Sequence, residues 1–408
     1  MQDFQIKLLH LYTMKRLIIT ICAAFALFCV KAEEIKAPKI TAGPYIQACS
    51  DTEFTVVWQT DSDALSWVEI APNDGTHFYN TARQQYFQTI HGRRPIGRWH
   101  KVTVDGLEPN TVYRYRVLHK GITTNQGNKR VRYTESKGSD VYRRQPYTIR
   151  TLGSGESTRF AIGNDFHDNP ELLSQLFSKD IITAEKYDFV LYNGDMVSSF
   201  ESEERLVNSV IKPSVAQFAS GVPLFFSRGN HETRGAQATT YTDYFPTSTA
   251  TPYYTFSDGP ALFIVLDCGE DKPDSDIEYH DLVRYDIYRE KEAKWLKNVV
   301  ESEEFKAAAV KIVIIHVPPK STGWHGEAEV ARLFAPILNT AGIDAMFCGH
   351  IHKYRFSEAN DPTYGCNFPI ICLPNRVRTD IEVSKEKIAY TITNTDGVIT
   401  NNEITIKR

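Results

Sequence analysis

The stretch Ala345-Met346-Phe347-Cys348-Gly349-His350-Ile351-His352 ends an apolar run in a glycine and then in two histidines separated by a single residue. In extended chain, residues i and i+2 point the same way. His350 and His352 can therefore present two imidazoles on one side of a strand end, and neutral imidazole is a common metal ligand. A lone His-x-His is a weak signal, because a polar loop reads the same. It gains weight from four other apolar runs that end alike. Phe160 to Gly163 leads to Asp165 and His167, and Phe189 to Tyr192 leads to Gly194 and Asp195. Pro223 to Phe226 leads to Gly229, Asn230, His231 and Glu232, and Val310 to Ile315 leads to His316. Each block reads as a short buried strand that delivers a ligand-type side chain at its carboxyl end.

Between these blocks the apolar residues change to helical spacing. Leu172, Leu173, Leu176 and Phe177 form one stripe, and Leu206, Val207, Val210 and Ile211 another. Trp295, Leu296, Val299 and Val300 form a third, and Val330, Leu333, Phe334 and Ile337 a fourth. All read as core faces. Strands alternating with helices predict an α/β unit, whose sites gather beyond the carboxyl ends of the strands. The segment Ile370 to Lys407 returns to a β pattern, with Thr395-Asp396-Gly397 as a turn between Ile388–Ile392 and Ile404–Ile406.

Residues 39–152 read differently, as an all-β unit. Phe54 to Trp58, Trp67 to Ile70, Lys101 to Val104 and Thr111 to Leu118 have strand character, with turn signals at Pro72-Asn73-Asp74-Gly75 and Glu108-Pro109-Asn110. Short strands at this spacing predict a β-sandwich with Trp58 in its core. Gly121 to Ser139 is polar and predicts a long hairpin loop. Gly153-Ser154-Gly155 reads as a linker.

The 408 residues exceed the roughly 100–200 of a typical domain, which predicts two domains. A net charge of −4 without a basic block argues against nucleic-acid binding. Met14-Lys15-Arg16, the apolar run Leu17 to Val30 and the small-x-small Val30-Lys31-Ala32 read as a secretory signal peptide over residues 1–32. The run is shorter than the about 20 apolar residues that span a bilayer, so no stable membrane insertion is expected after cleavage and the protein is expected to be exported. Cleavage leaves 42 basic and 49 acidic residues, a net charge of −7. It also leaves five of the 7 cysteines and no Cys-x-x-Cys. Whether Cys366 and Cys372 pair is left open by spacing.

Asp165, His167, Asp195, Asn230, His316, His350 and His352 supply oxygen and imidazole donors but no thiolate. That set suits Fe, Zn or Mn. Seven donors exceed the need of a single ion, so the expectation is two divalent or mixed-valence ions about 3.5–4 Å apart. One carboxylate must then be shared, and Asp195 is the candidate. Such a pair lowers the pKa of a shared water and clamps the attacking and leaving oxygens of an in-line displacement at phosphorus.

Taken in order, Asp165-x-His167, Gly194-Asp195, Gly229-Asn230-His231-Glu232, His316 and Gly349-His350-x-His352 resemble the calcineurin-like metallophosphoesterase family over residues 158–408. The resemblance implies a four-layer α/β/β/α sandwich. The preceding unit, opening Gly43-Pro44-Tyr45-Ile46-Gln47, is similar to the N-terminal domain of purple acid phosphatases, and Leu107 to Tyr115 resembles a fibronectin type III domain. By this resemblance Asp165, His167 and His352 hold the first metal, Asn230, His316 and His350 the second, and Asp195 both. His231 would face the phosphate and protonate or stabilise the leaving oxygen. His325 resembles a substrate-side histidine. Arg234 is open to a phosphate contact or to a surface ion pair. The chain departs from purple acid phosphatases at Ser198, where they carry a tyrosine ligand, and His167 replaces it; no purple colour is expected.

The activity implied is hydrolysis of a small-molecule phosphate ester, foremost a phosphomonoester. A phosphodiesterase or nucleotide pyrophosphatase using the same metals is the alternative. A non-enzymatic surface or carbohydrate-binding protein is the alternative of another class. The acidic insertion Gly269 to Asp286, which contains His280, reads as a loop near the site that acts as a lid, selects substrate or is merely solvated.

Overall fold

The computed structural model describes residues 36–153 and 155–406, together with His10 and Met14. Apart from those two positions, the leader expected over residues 1–32 lies outside the described residues, as does Ser154 of the expected linker. Among the described residues no helix is long and apolar enough to cross a membrane.

The first seven strands are β1 (Ile40–Gln47), β2 (Phe54–Pro72), β3 (Gln85–Tyr86), β4 (Gly97–Val104), β5 (Val112–Asn125), β6 (Val131–Gly138) and β7 (Tyr147–Arg150). They are antiparallel throughout. The two strands expected at Phe54–Trp58 and Trp67–Ile70 are a single strand of 19 residues. Its first half pairs with β1 and β4 and its second half with β5, so it turns the corner between the two halves of the sandwich. Only Asp61, Ser62 and Asp63 at that corner are exposed, which is why the polar interruption read as a loop. The loop expected over Gly121–Ser139 is likewise mostly strand: β5 runs to Asn125 and β6 begins at Val131. Strand backbone groups pair whatever the side chains are, so polar composition alone misplaced this hairpin. Trp58 is fully buried against Val56, Val102 and Val117, as its core assignment requires.

Two six-stranded sheets follow. The first contains β8 (Ser157–Gly163), β9 (Phe189–Asn193), β10 (Leu224–Ser227), β17 (Arg378–Ser384), β18 (Lys387–Asn394) and β19 (Gly397–Thr405), in the order β10-β9-β8-β17-β18-β19. The second contains β11 (Tyr254–Asp258), β12 (Ala261–Val265), β13 (Val310–Ile314), β14 (Ala345–Cys348), β15 (Arg355–Ser357) and β16 (Ile370–Cys372), in the order β11-β12-β13-β14-β16-β15. Strands β8, β9 and β10 are parallel, and so are β12, β13, β14 and β16.

The period of two along each strand sorts the side chains into layers. Phe160, Ile162, Phe189, Leu191, Phe263, Val265, Ile312, Ile314 and Phe347 meet between the sheets. The alternate residues Ala161, Val190, Tyr192 and Phe226 pack under the helices of the first sheet, and Leu262, Ile264, Val313 and Met346 under those of the second. Strands covered on both faces read as continuous apolar runs. The result is the four-layer α/β/β/α arrangement. Burying each large apolar side chain contributes about 1.5–3 kcal/mol, so these layers hold the strand ends as rigid mounts. All five cysteines among the described residues are buried free thiols; Cys372 Sγ lies 3.3 Å from the Tyr364 hydroxyl.

Candidate metal centre

The loops after β8, β9, β10, β13 and β14 end at one place, the cleft where the carboxyl edges of the two sheets meet. Asp165, His167 and His352 place one ligand atom each within 4.8 Å of one another. Asp195, His316 and His350 do the same, and Asp195 also groups with His167 and His231. His352 Nε2 lies 3.0 Å from Asp165 Oδ1, and His316 Nε2 lies 3.0 Å from Asp195 Oδ2.

The backbone bends sharply to achieve this. Asp165, His167, Asp195, His350 and His352 all have positive φ, between 47° and 68°. Non-glycine residues rarely adopt this region, and such strain gathers at functional sites. Glycines admit the ligands. A Cβ on Gly194 would stand 2.5 Å from His316 Nδ1, and one on Gly229 would stand 2.3 Å from Asp195 Oδ1.

Three buried donor atoms make no well-aligned hydrogen bond: Asp165 Oδ1, Asn230 Oδ1 and His316 Nε2, of which the first and last only face His352 Nε2 and Asp195 Oδ2 at 3.0 Å. Buried polar atoms are normally satisfied. These three belong to expected ligands, and oxygen and imidazole donors left bare in this way fit cations. The opposite edge of His316 is engaged: its Nδ1 lies 2.6 Å from the Asn193 carbonyl, which sets the tautomer that leaves Nε2 as the free donor. Asn193 also donates to the carbonyls of Ile315 and Phe347 and so ties the two sheets together beside the site.

Electrostatics separate the ligands. Burial alone would lower the His316 pKa, but Asp195 and Asp165 outweigh it and push the ring up to about 10. Burial and the neighbouring His316 push His350 down to about 4. Burial lowers His167, while the Asp165 carboxylate raises His352. Asp195, against the raising effect of burial, is held well below the usual carboxylate range by His316 and His231. Uncompensated carboxylates thus hold a proton on His316 where a cation would sit.

A family model described as calcineurin-like phosphoesterase matches residues 158–354, and one described as the purple acid phosphatase N-terminal domain matches residues 44–130. The chain carries a calcineurin-like phosphoesterase domain. Its curated homologues are purple acid phosphatases of Arabidopsis thaliana. Purple acid phosphatase 15 is 25% identical over 64% of this chain and 49% of that protein. Purple acid phosphatase 23 is 22% identical over 63% of this chain and 57% of that protein. Purple acid phosphatase 18 is 23% identical over 78% of this chain and 67% of that protein. The chain therefore spans about half the length of the first of these relatives.

In the phosphoesterase domain, His231 stands at the mouth of the metal cluster. Its backbone N–H donates to Asp195 Oδ1 at 2.9 Å, and its Nδ1 lies 2.7 Å from the Ser198 carbonyl. Its Nε2 is turned to the cleft and accepts from Arg234 Nη1 at 3.2 Å. Arg234 is anchored by Glu270 and Asp271, so it forms an ion pair, but a partly buried one at the site rather than a surface one. Asp271 also approaches Asn230 Nδ2 at 3.5 Å, so the insertion Gly269–Asp286 does reach the cleft. Its His280 is exposed and stands apart from the ligands. His325 is not brought to the cleft: its Nε2 lies 2.7 Å from Asp286 Oδ1, on the far side of its helix start. Its neighbours Trp324 and Glu327 line the cleft instead.

Sequence reasoning overlooked Glu232, a fully buried carboxylate. It accepts from the backbone N–H groups of Asp195, Met196, Val197 and Gly229, at 2.7–3.2 Å. It clamps two ligand loops together, and burial and Asp195 push its pKa up to about 7. Its place in Gly-Asn-His-Glu was visible, but not the direction of its side chain. Asp271 was signalled only by its place in the acidic insertion, and Trp324 carried no signal. The cleft has a volume of about 330 Å³. A larger hollow of about 450 Å³ lies where the β-sandwich meets the phosphoesterase domain. That one gathers no cluster of ligand-type side chains among the described residues, whereas the smaller cleft does.

Proposed function

We propose that this chain is an exported, binuclear metal-dependent phosphomonoesterase acting on small-molecule phosphate esters. The observation that carries this reading is the convergence of six carboxylate and imidazole donors from four loops, with Asn230 of a fifth lining the same cleft, and with three of their buried atoms making no well-aligned hydrogen bond. In this reading Asp165, His167 and His352 would hold one ion and Asn230, His316 and His350 the other, with Asp195 available to both. When bound, the two ions supply positive charge for the phosphate and an activated water for attack on phosphorus.

The chain's own groups do the rest. Asn193 holds the His316 tautomer, and Glu232 fixes the loops of Asp195 and Asn230. The Ser198 carbonyl orients His231 so that its Nε2 faces the leaving oxygen, beside the Arg234 cation. Together these preorganise positive and proton-bearing groups where negative charge develops, which is the main source of catalysis for phosphoryl transfer.

The domain limits we propose are 39–152 for the β-sandwich and 158–408 for the phosphoesterase, after a leader over 1–32. Export rests on the charged and apolar pattern of that leader. The test is elemental analysis of purified protein, followed by assay on a nitrophenyl monoester and on the bis-nitrophenyl diester. About two metal ions per chain and a chelator-sensitive preference for the monoester are expected. A strong diester preference, or no bound metal, would overturn the proposal.

A further inference from the structure

Trp324 is 62% exposed, an unusual state for an indole. It lines the same cleft as His231, His350 and His352. Its backbone is held firmly while its ring stays bare. The Trp324 N–H donates to Glu327 Oε2 at 2.7 Å at the start of the helix His325–Leu333. Two residues on, the Gly326 N–H donates to the Asp271 carbonyl at 3.0 Å, and a Cβ there would come within 2.7 Å of the Glu270 carbonyl. The contact of His325 Nε2 with Asp286 Oδ1 at 2.7 Å ties the same helix start to the insertion Gly269–Asp286. So a rigid mount, built from both the helix and the insertion, offers an aromatic face to the mouth of the metal cluster.

The insertion that this mount engages also exposes apolar side chains. The exposed large apolar residues of the phosphoesterase domain, among the described residues, are Ile277, Leu282, Ile287, Trp324, Val398 and Ile399. The first three lie in or directly after the insertion that this mount engages. Apart from the candidate ligands and His231, the polar side chains that line the cleft with Trp324 are the carboxylates Asp271 and Glu327, of which Asp271 pairs with Arg234. Carboxylates repel a second phosphate on the leaving group, whereas an aromatic face attracts a flat ring.

We propose that Trp324 is the platform for the leaving group, and that the preferred substrates are monoesters whose alcohol carries a flat aromatic ring, such as nucleoside 5′-monophosphates. This rests on the phosphomonoesterase reading above. The metal-loaded full chain is assayed on a nucleoside 5′-monophosphate and on glycerol 1-phosphate. Both are phosphates of primary alcohols, so their intrinsic reactivities match and their ratio of kcat/KM reports the platform.

In Trp324→Ala that ratio is expected to fall about tenfold, the size of a single ring-stacking contact. The fall should come mainly through KM for the nucleotide, and Trp324→Phe should restore most of it. A ratio that moves less than twofold in Trp324→Ala, with metal content intact, overturns the platform while leaving the phosphomonoesterase reading standing. Failure of the unaltered, metal-loaded chain to hydrolyse either ester overturns both.

Discussion

The β-sandwich and the phosphoesterase domain each bury histidines, and the contrast between them shows what makes a ligand. His100 and His119 are each 2% exposed and His316 is fully buried. In the sandwich, His100 Nε2 lies 2.9 Å from the Thr60 hydroxyl and its ring packs on Trp58, while His119 Nε2 lies 2.8 Å from the Pro38 carbonyl. Burial outweighs the Pro38 carbonyl and Asp61, which act on His119 in the raising direction. Burial pushes His100 down to about 3 and lowers His119, so both are neutral core residues. His316 has the same burial, but two carboxylates face it and its Nε2 makes no well-aligned hydrogen bond. Burial alone makes a histidine inert; burial beside uncompensated negative charge makes it a place for a cation.

Removing the charge should abolish the difference. Asp195→Asn is expected to lower turnover on the order of 10³-fold or more with the fold retained. Steady-state kinetics with a circular dichroism control decides it, and near-normal turnover would sink the shared-ligand role. Next in size is His231→Ala, whose ring touches the cleft without belonging to the ligand set. It should slow turnover about 10²-fold while metal content stays stoichiometric. Loss of metal in that variant would move His231 among the ligands.

The charge itself is measurable as a proton. In the metal-free protein His316 stays protonated until pH rises to about 10, and only the neutral ring binds metal. Affinity should therefore rise with pH, by about tenfold per unit between pH 6 and 8, with a proton released on binding. Calorimetry in buffers of different ionisation enthalpy reads that proton; a pH-independent affinity with no release contradicts the His316 assignment. The smallest effect belongs to the sandwich. His100→Ala loses one buried hydrogen bond and should cost about 1–3 kcal/mol of stability. Denaturant midpoints and activity per metal are the paired measurements, and altered activity per metal would break the contrast.

Much of this was legible because strand ends are local. Five apolar runs, each closing on a ligand-type residue, marked the strands, their carboxyl ends and the seven donors. Strands alternating with helices predicted the α/β unit, the family resemblance implied its four layers, and continuous burial along β9 and β10 agrees with cover on both faces. The sandwich was legible from its alternating strands, but not the continuity of β2 through Asp61–Asp63, because a polar corner in a strand and a loop have the same composition.

His325 marks the limit most clearly. Its spacing from His316 is a fact of the chain, but the ring turns to Asp286 on the insertion, and the adjacent Trp324 enters the cleft in its place. One residue of rotation at a helix start swaps inside for outside, and only contacts distant in sequence choose between them. The same holds for Glu232 and Asp271, whose carboxylates are defined by backbone amides and an arginine brought near by folding. The sequence by itself determined which residue types stand at the strand ends, because periodicity and sharp glycine turns are local properties. Only the tertiary structure decided which atoms face the cleft bare and which are already satisfied, because partners, burial and field arise when distant loops meet.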